Sequence, residues 1–182
     1  MKLKSALVII DMINDFVNGA LKCQNPYKLI SNIKQLILWA HNSNILVVYV
    51  NDEHNENDYE FKVWLKHALK DSYGSQIIDE LKPNDKDIIF TKNHYNGFIN
   101  TNLDSYLKQN QISKLYVCGL YTEICVREFV STGFQLGYDI SVLKDATKSK
   151  NKLKHSKTLK HLKEFYNVEI INTSNLIKKS ST

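Results

Sequence analysis

The stretch "VCGLYTEICVREF" (residues 117–129) decides how this chain is read. An apolar run from Leu115 to Cys118 stops at Gly119, passes through a short polar turn, and gives way to apolar residues at helical spacing from Glu123 to Leu136. That pattern is a buried strand feeding a helix, and it predicts Cys125 in the helix's first turn. Unpaired backbone N–H groups and the positive end of the helix dipole stabilise an anion there, so a cysteine at that place is expected to ionise readily and to act as a nucleophile.

Similar apolar runs bounded by turn residues lie at Ala6–Ile10, Ile45–Val50, Asp87–Phe90, Asp139–Leu143 and Val168–Ile171, which with Leu115–Cys118 makes six predicted strands. Helical spacing fills most of the intervals: Leu29, Ile33, Leu36, Ile37 and Ala40 share a face, as do Leu103 with Leu107, and Leu159 with Leu162 and Phe165. Alternation of this kind predicts an α/β fold in three layers, a six-stranded and mainly parallel sheet flanked by helices, because each parallel crossover needs a covering element. A length of 182 residues suits one domain over residues 1–182.

The formal charge of +5 comes from scattered lysines, and only Lys148, Lys150, Lys152 and Lys154 form a run. This run reads as the solvated face of a helix, so no nucleic-acid partner is expected. The first residues enter a strand without a secretory apolar segment and no stretch reaches membrane-spanning length, which predicts a cytoplasmic protein with no membrane partner. Three irregularly spaced cysteines, Cys23, Cys118 and Cys125, predict free thiols, with Cys118 inert inside its strand.

In a parallel sheet, ligands bind at the carboxyl ends of the strands. Those ends carry Asp11, then Asp52-Glu53-His54, then Thr91-Lys92, then Gly119 with Cys125 just beyond. Taken singly, a strand-terminal Asp is most often a turn residue, a lone Lys a solvated end and a buried Cys ordinary packing. Together they make a chemical set: Asp11 to accept the Cys125 proton, and Lys92 to hold the carboxylate and favour a thiolate. Asp52 and His54, at i and i+2, point the same way if the strand continues, and His67 follows in "VWLKHALKDSYG", a segment read as helical.

The segments "VIIDMINDF" (8–16), "TKNHYNGF" (91–98) and "CGLYTEICVREF" (118–129) resemble the signature segments of the isochorismatase-like cysteine hydrolases. The resemblance implies a Rossmann-like sheet, a catalytic Asp11, Lys92 and Cys125, and a cis Leu120–Tyr121 peptide that helps the N–H groups of Tyr121 and Cys125 form an oxyanion hole. Within that superfamily, D-x-H followed by W-x-x-H resembles the nicotinamidases. That likeness implies a divalent ion, zinc, iron or manganese, on Asp52, His54 and His67, with Phe16, Trp64 and Tyr95 as aromatic walls. Some nicotinamidases add another acid or histidine near the metal, a place open here to Glu56, to Asp58 or to neither. Ile13, Glu53 and Asn96 stand where glutamine, tryptophan and serine are usual. The resemblance implies hydrolysis of a small amide, nicotinamide or another amide or carbamoyl compound, and points to a homo-oligomer; a non-catalytic binding protein on the same fold is the remaining reading.

Overall fold

In the computed structural model, which describes residues 4–179, the strands are β1 (Lys4–Ile10), β2 (Leu46–Asp52), β3 (Ile88–Lys92), β4 (Ile112–Leu120), β5 (Asp139–Lys148) and β6 (Glu169–Ile171). They form one sheet in the order β3-β2-β1-β4-β5-β6, and every neighbouring pair is parallel. The helices are α1 (Asn14–Val17), α2 (Tyr27–Asn42), α3 (Leu103–Gln109), α4 (Arg127–Gln135), α5 (Lys152–Tyr166) and α6 (Thr173–Lys179). Among the described residues, no helix is long and apolar enough to cross a membrane.

Side-chain alternation along β1 sorts the core onto two faces. Leu7 and Ile9 pack with the buried stripe of α2 (Leu29, Ile33, Leu36, Ala40) and with Leu176 of α6. Ala6, Val8 and Ile10 pack on the other face with Leu103 and Leu107 of α3, Phe129 and Val130 of α4, and Leu159 and Leu162 of α5. Phe165 departs from its predicted face, being 62% exposed. It sits at the far end of α5, one residue before that helix ends, with His161 at 4.8 Å between ring centroids.

The order of the strands reverses at β1, whose neighbours are β2 and β4, and this places the end of β1 between theirs. Ile10 pairs with Val50 on one side and Gly119 on the other, and Asp52 pairs with Lys92 across β2 and β3. Gly119 has φ +113, and a Cβ there would lie 2.0 Å from the Ile10 carbonyl oxygen. Only glycine permits β4 to approach the residue that precedes Asp11 so closely. Gly119→Ala is therefore expected to cost about 3 kcal/mol or more, at the severe end of single substitutions, visible as a lowered urea midpoint at unchanged slope.

Candidate active site

At the end of β1 the chain turns sharply: Asp11 has φ 53, a left-handed conformation that aspartate accepts more readily than most residues. The turn is held by Asp11 N–H donating to the Val50 carbonyl at 3.1 Å, and the Asp11 carboxylate accepts from the Asp52 N–H at 2.8 Å. Lys92, at the end of β3, donates to the second Asp11 oxygen at 3.0 Å and also to Asp52. All three side chains are 1% exposed or less. The Cys125 sulfur lies within 4.8 Å of carboxylate oxygens of both Asp11 and Asp52.

Cys125 does not lie in the first turn of an α-helix. Residues Thr122–Val126 form a π-helical turn, with Ile124 and Val126 N–H both closing on the Tyr121 carbonyl at 3.0 and 3.3 Å, and α4 begins only at Arg127. The Leu120–Tyr121 peptide before this turn is cis. Nor is the thiol acidic at rest: burial raises its pKa well above the ordinary value, Lys92 pulls it down, and Asp11 and Asp52 push it up again. A neutral thiol needs a base. Asp11 is raised to about 7, by burial first and by the neighbouring Asp52 charge second, with Lys92 opposing. Asp52 goes the other way: burial pushes its pKa up, but Lys92 and His54 prevail and hold it low.

The second oxygen of Asp52 faces a different group. It lies 3.8 Å from His54 Nε2 and 3.9 Å from His67 Nε2, while Glu60 places its carboxylate oxygens 3.6 Å from His67 Nε2 and 4.0 Å from His54 Nε2. Asp52 Oδ2 and both Nε2 atoms are buried without a hydrogen-bond partner. Three orphaned buried ligand atoms, with the Glu60 carboxylate as a fourth ligand, fit a divalent cation: ligands about 2.0–2.2 Å from one ion stand roughly 3.4 Å apart in a tetrahedron. Each imidazole is also held from behind, His54 Nδ1 by Asp58 at 3.1 Å and His67 Nδ1 by the Leu65 carbonyl at 2.7 Å, which orients Nε2 toward the common centre.

Neither acid anticipated near this group joins it directly. Asp58 stands behind His54, and Glu56 pairs with Lys66 on the surface. Glu60 occupies the place because a short 3-10 turn, Tyr59–Lys62, brings it inward, and nothing in its surroundings in sequence marks it. His67 is not helical either. It enters an extended segment where His54 N–H donates to the Ala68 carbonyl at 2.8 Å and Lys70 N–H to the His54 carbonyl at 2.9 Å. Asp15 caps this segment by accepting from Ala68 N–H at 2.8 Å.

Both groups open into one cavity of about 320 Å³. Asp52, Glu60 and Cys125 line it with Phe16, Trp64 and Tyr95. Trp64 Nε1 donates to the Tyr95 hydroxyl at 2.8 Å, fixing two walls against each other, and Phe16 meets His67 at 5.3 Å between ring centroids. Tyr121 is a further wall, and Phe61, at 5.2 Å from His54 and 5.6 Å from His67, backs both imidazoles. The lysine run is not a uniform solvated face. Lys150 and Lys154 line the same cavity, with the Lys150 ammonium 5.2 Å from the Tyr121 ring and 5.8 Å from that of Trp64. Lys148 turns away and donates to the carbonyls of Gln24 and Asn25.

Residues 5–174 match the sequence profile of the isochorismatase domain. A protein described as a probable inactive nicotinamidase of Arabidopsis thaliana is 29% identical over 156 residues, covering 79% of this chain and 80% of that one. Two solved structures superpose closely. N-carbamoylsarcosine amidase from Thermoplasma acidophilum gives a TM-score of 0.88 at 32% identity, covering 94% of this chain and 97% of the other. The pyrazinamidase of Pyrococcus horikoshii in complex with zinc gives 0.88 at 26% identity, covering 93% and 99%.

Cys125 reaches the cavity, whereas Cys118 is 0% exposed within β4 and its thiol is pushed up by burial alone. Iodoacetamide is therefore expected to label Cys125 ahead of Cys23 and Cys118, as peptide mass spectrometry would record. Lys92→Met leaves two buried carboxylates without their cation. It should cost about 3–5 kcal/mol in denaturant unfolding and raise the pH at which Cys125 is labelled.

Proposed function

The chain belongs to the isochorismatase family, and on that premise we propose that it is a metal-assisted nicotinamidase, converting nicotinamide to nicotinate and ammonia in salvage of the pyridine ring. One observation carries this reading: Asp52 is shared, giving one oxygen to the Lys92–Asp11 cluster beside Cys125 and the other to His54 and His67, so one cavity offers a nucleophile and a cation site to a single small molecule. Nicotinamide has two matching ends, a carboxamide and a ring nitrogen. Phe16, Trp64, Tyr95 and Tyr121 offer flat walls to the ring between them.

In the proposed reaction Asp11 takes the Cys125 proton as the thiolate attacks the carboxamide carbon. The oxyanion that forms is received by the backbone N–H groups of Tyr121 and Cys125. Asp11 then gives its proton to the departing ammonia, leaving a thioester. Water, deprotonated by the same carboxylate, adds to that thioester and releases nicotinate and the free thiol. A carboxyl group with a pKa of about 7 is suited to take and return a proton near neutrality. Asp52, His54, His67 and Glu60 would hold a divalent ion, which when bound supplies a Lewis-acid position for the ring nitrogen.

A second reading is favoured by Lys150 and Lys154, whose charges at the cavity would suit an amide with an acidic substituent, such as a carbamoyl amino acid. N-carbamoylsarcosine, named for the Thermoplasma enzyme, is of that class. Lys150→Ala separates the two, because it should weaken turnover of an acidic carbamoyl compound and leave nicotinamide turnover unchanged.

Ammonia release from nicotinamide is expected to exceed that from benzamide by about 10⁴, the scale on which a site rejects an analogue lacking a required polar atom. Chelation should abolish the preference. Equal rates on the two amides, or full activity in metal-stripped protein, would move the protein to the second reading. Asp11 must be ionised to accept a proton, so a raised pKa means that kcat/KM falls as pH drops through about 7. Asp11→Asn should lower kcat by about 10²–10⁴. A non-catalytic protein would release no ammonia from either class of amide.

A further inference from the structure

The proposed reaction makes no use of a half-buried histidine beside the nucleophile's turn. Thr122, 0% exposed and three residues before Cys125, has its hydroxyl 2.8 Å from Nδ1 of His155, on the first turn of α5. Burial holds the His155 pKa below its ordinary value, against the opposing effects of the Lys144 carbonyl and Glu123, so the ring is neutral at pH 7 and can accept from Thr122. The next residue of the turn is tied to the same region: Ser149 donates to Glu123 at 2.7 Å and itself accepts from Asn151 N–H at 2.9 Å. Asn151 in turn caps α5, accepting from Leu153 and Lys154 N–H at 2.8 and 3.0 Å. The π-helical turn is thus fastened by side chains to the start of α5.

We propose that His155 is a positioning residue which, through the Thr122 hydroxyl, holds the Tyr121–Cys125 turn in the shape that presents its backbone N–H groups to the oxyanion of the reacting substrate. This rests on the cysteine-amidase reading and not on which amide is cleaved. The N–H groups so positioned act on a charge that exists only as the carbonyl is attacked. Loss of the hydrogen bond therefore lowers kcat and leaves KM in place.

Four variants test the assignment: His155→Ala, Thr122→Val, the double variant, and His155→Asn, whose amide oxygen can take the place of Nδ1. Both single variants should lower kcat by about 10- to 100-fold, the scale of a slightly misplaced oxyanion site, with KM within about twofold. The double variant should be no worse than either single one, since the two residues form one contact. His155→Asn should recover most of the lost rate. Alkylation of Cys125 by iodoacetamide forms no oxyanion and should continue at the wild-type rate.

Binding of pyridine-3-carbaldehyde gives a readout that needs no turnover. The Cys125 sulfur adds to the aldehyde carbon and the thiol proton passes to the oxygen, giving a reversible thiohemiacetal that protects Cys125 from iodoacetamide. Protection should weaken in the Ala and Val variants, though by less than kcat falls, because the adduct oxygen is a neutral hydroxyl and accepts more weakly than an oxyanion. Unchanged kcat and unchanged protection in Thr122→Val, additive losses in the double variant, or alkylation falling in step with kcat would each overturn the proposal. Should His155→Ala fail to fold, Thr122→Val carries the test alone. A wild-type protein that releases ammonia from no amide refutes the amidase reading and this proposal with it, whereas an active wild type with unaffected variants overturns the role of His155 alone.

Discussion

One ammonium group buried between two carboxylates organises this end of the sheet. Lys92 reaches Asp11 and Asp52 with almost no solvent around any of them, and water supplies none of their charge compensation. Such a cluster survives only because each charge answers another, since removing one partner strands the rest in a medium that solvates ions poorly. The register of three parallel strands makes the arrangement possible: Asp52 lies opposite Lys92, and Asp11 follows the residue opposite Val50. With two acids and one base, the cluster cannot hold both carboxylates equally ionised. Asp52 stays charged, and Asp11 becomes the group whose proton moves.

That division assigns the two neighbouring chemistries. A permanently charged Asp52 can face the histidines and a cation, whereas a carboxyl that titrates near neutrality can trade a proton with Cys125. The burial that raises the thiol pKa has a compensating effect, because a thiol kept neutral until substrate arrives is less open to oxidation than a resting thiolate.

Much of this was legible in the sequence, and the reasons differ by region. The six strands were visible as short apolar runs, because strands of a covered parallel sheet are buried on both faces. Asp11, Asp52, Lys92 and Cys125 stood out because strand ends can be counted. Residues 53–87 were opaque by comparison: they carry no helix longer than a short 3-10 turn and so no periodicity, and their order comes from contacts made far away in sequence. Glu60 and Phe61 enter the site from that region, and His67 was read as helical for want of any local signal against it. The lysine run misled for another reason. Helical spacing tells which residues share a face of α5, but not that the segment leading into the helix crosses the mouth of a cavity formed by other elements.

The way residues 53–87 are attached separates the fates of the two halves of the site. Cys125, Asp11 and Lys92 hang from strand ends and a turn fixed to the central sheet. Glu60 and His67 lie in a long connection without a regular helix or strand, tied to the chain just after β1 (Asp15 to Ala68, Asn14 to Tyr73 and Gln76, Met12 to Ile78) and to the sheet through Tyr49 and Leu81. Irregular connections open by local fluctuation more readily than a central sheet comes apart. Glu60 and His67 would then part from Asp52 and His54 while the sheet and its thiol remain assembled. Exchange of an ion held there would then not require the sheet to unfold.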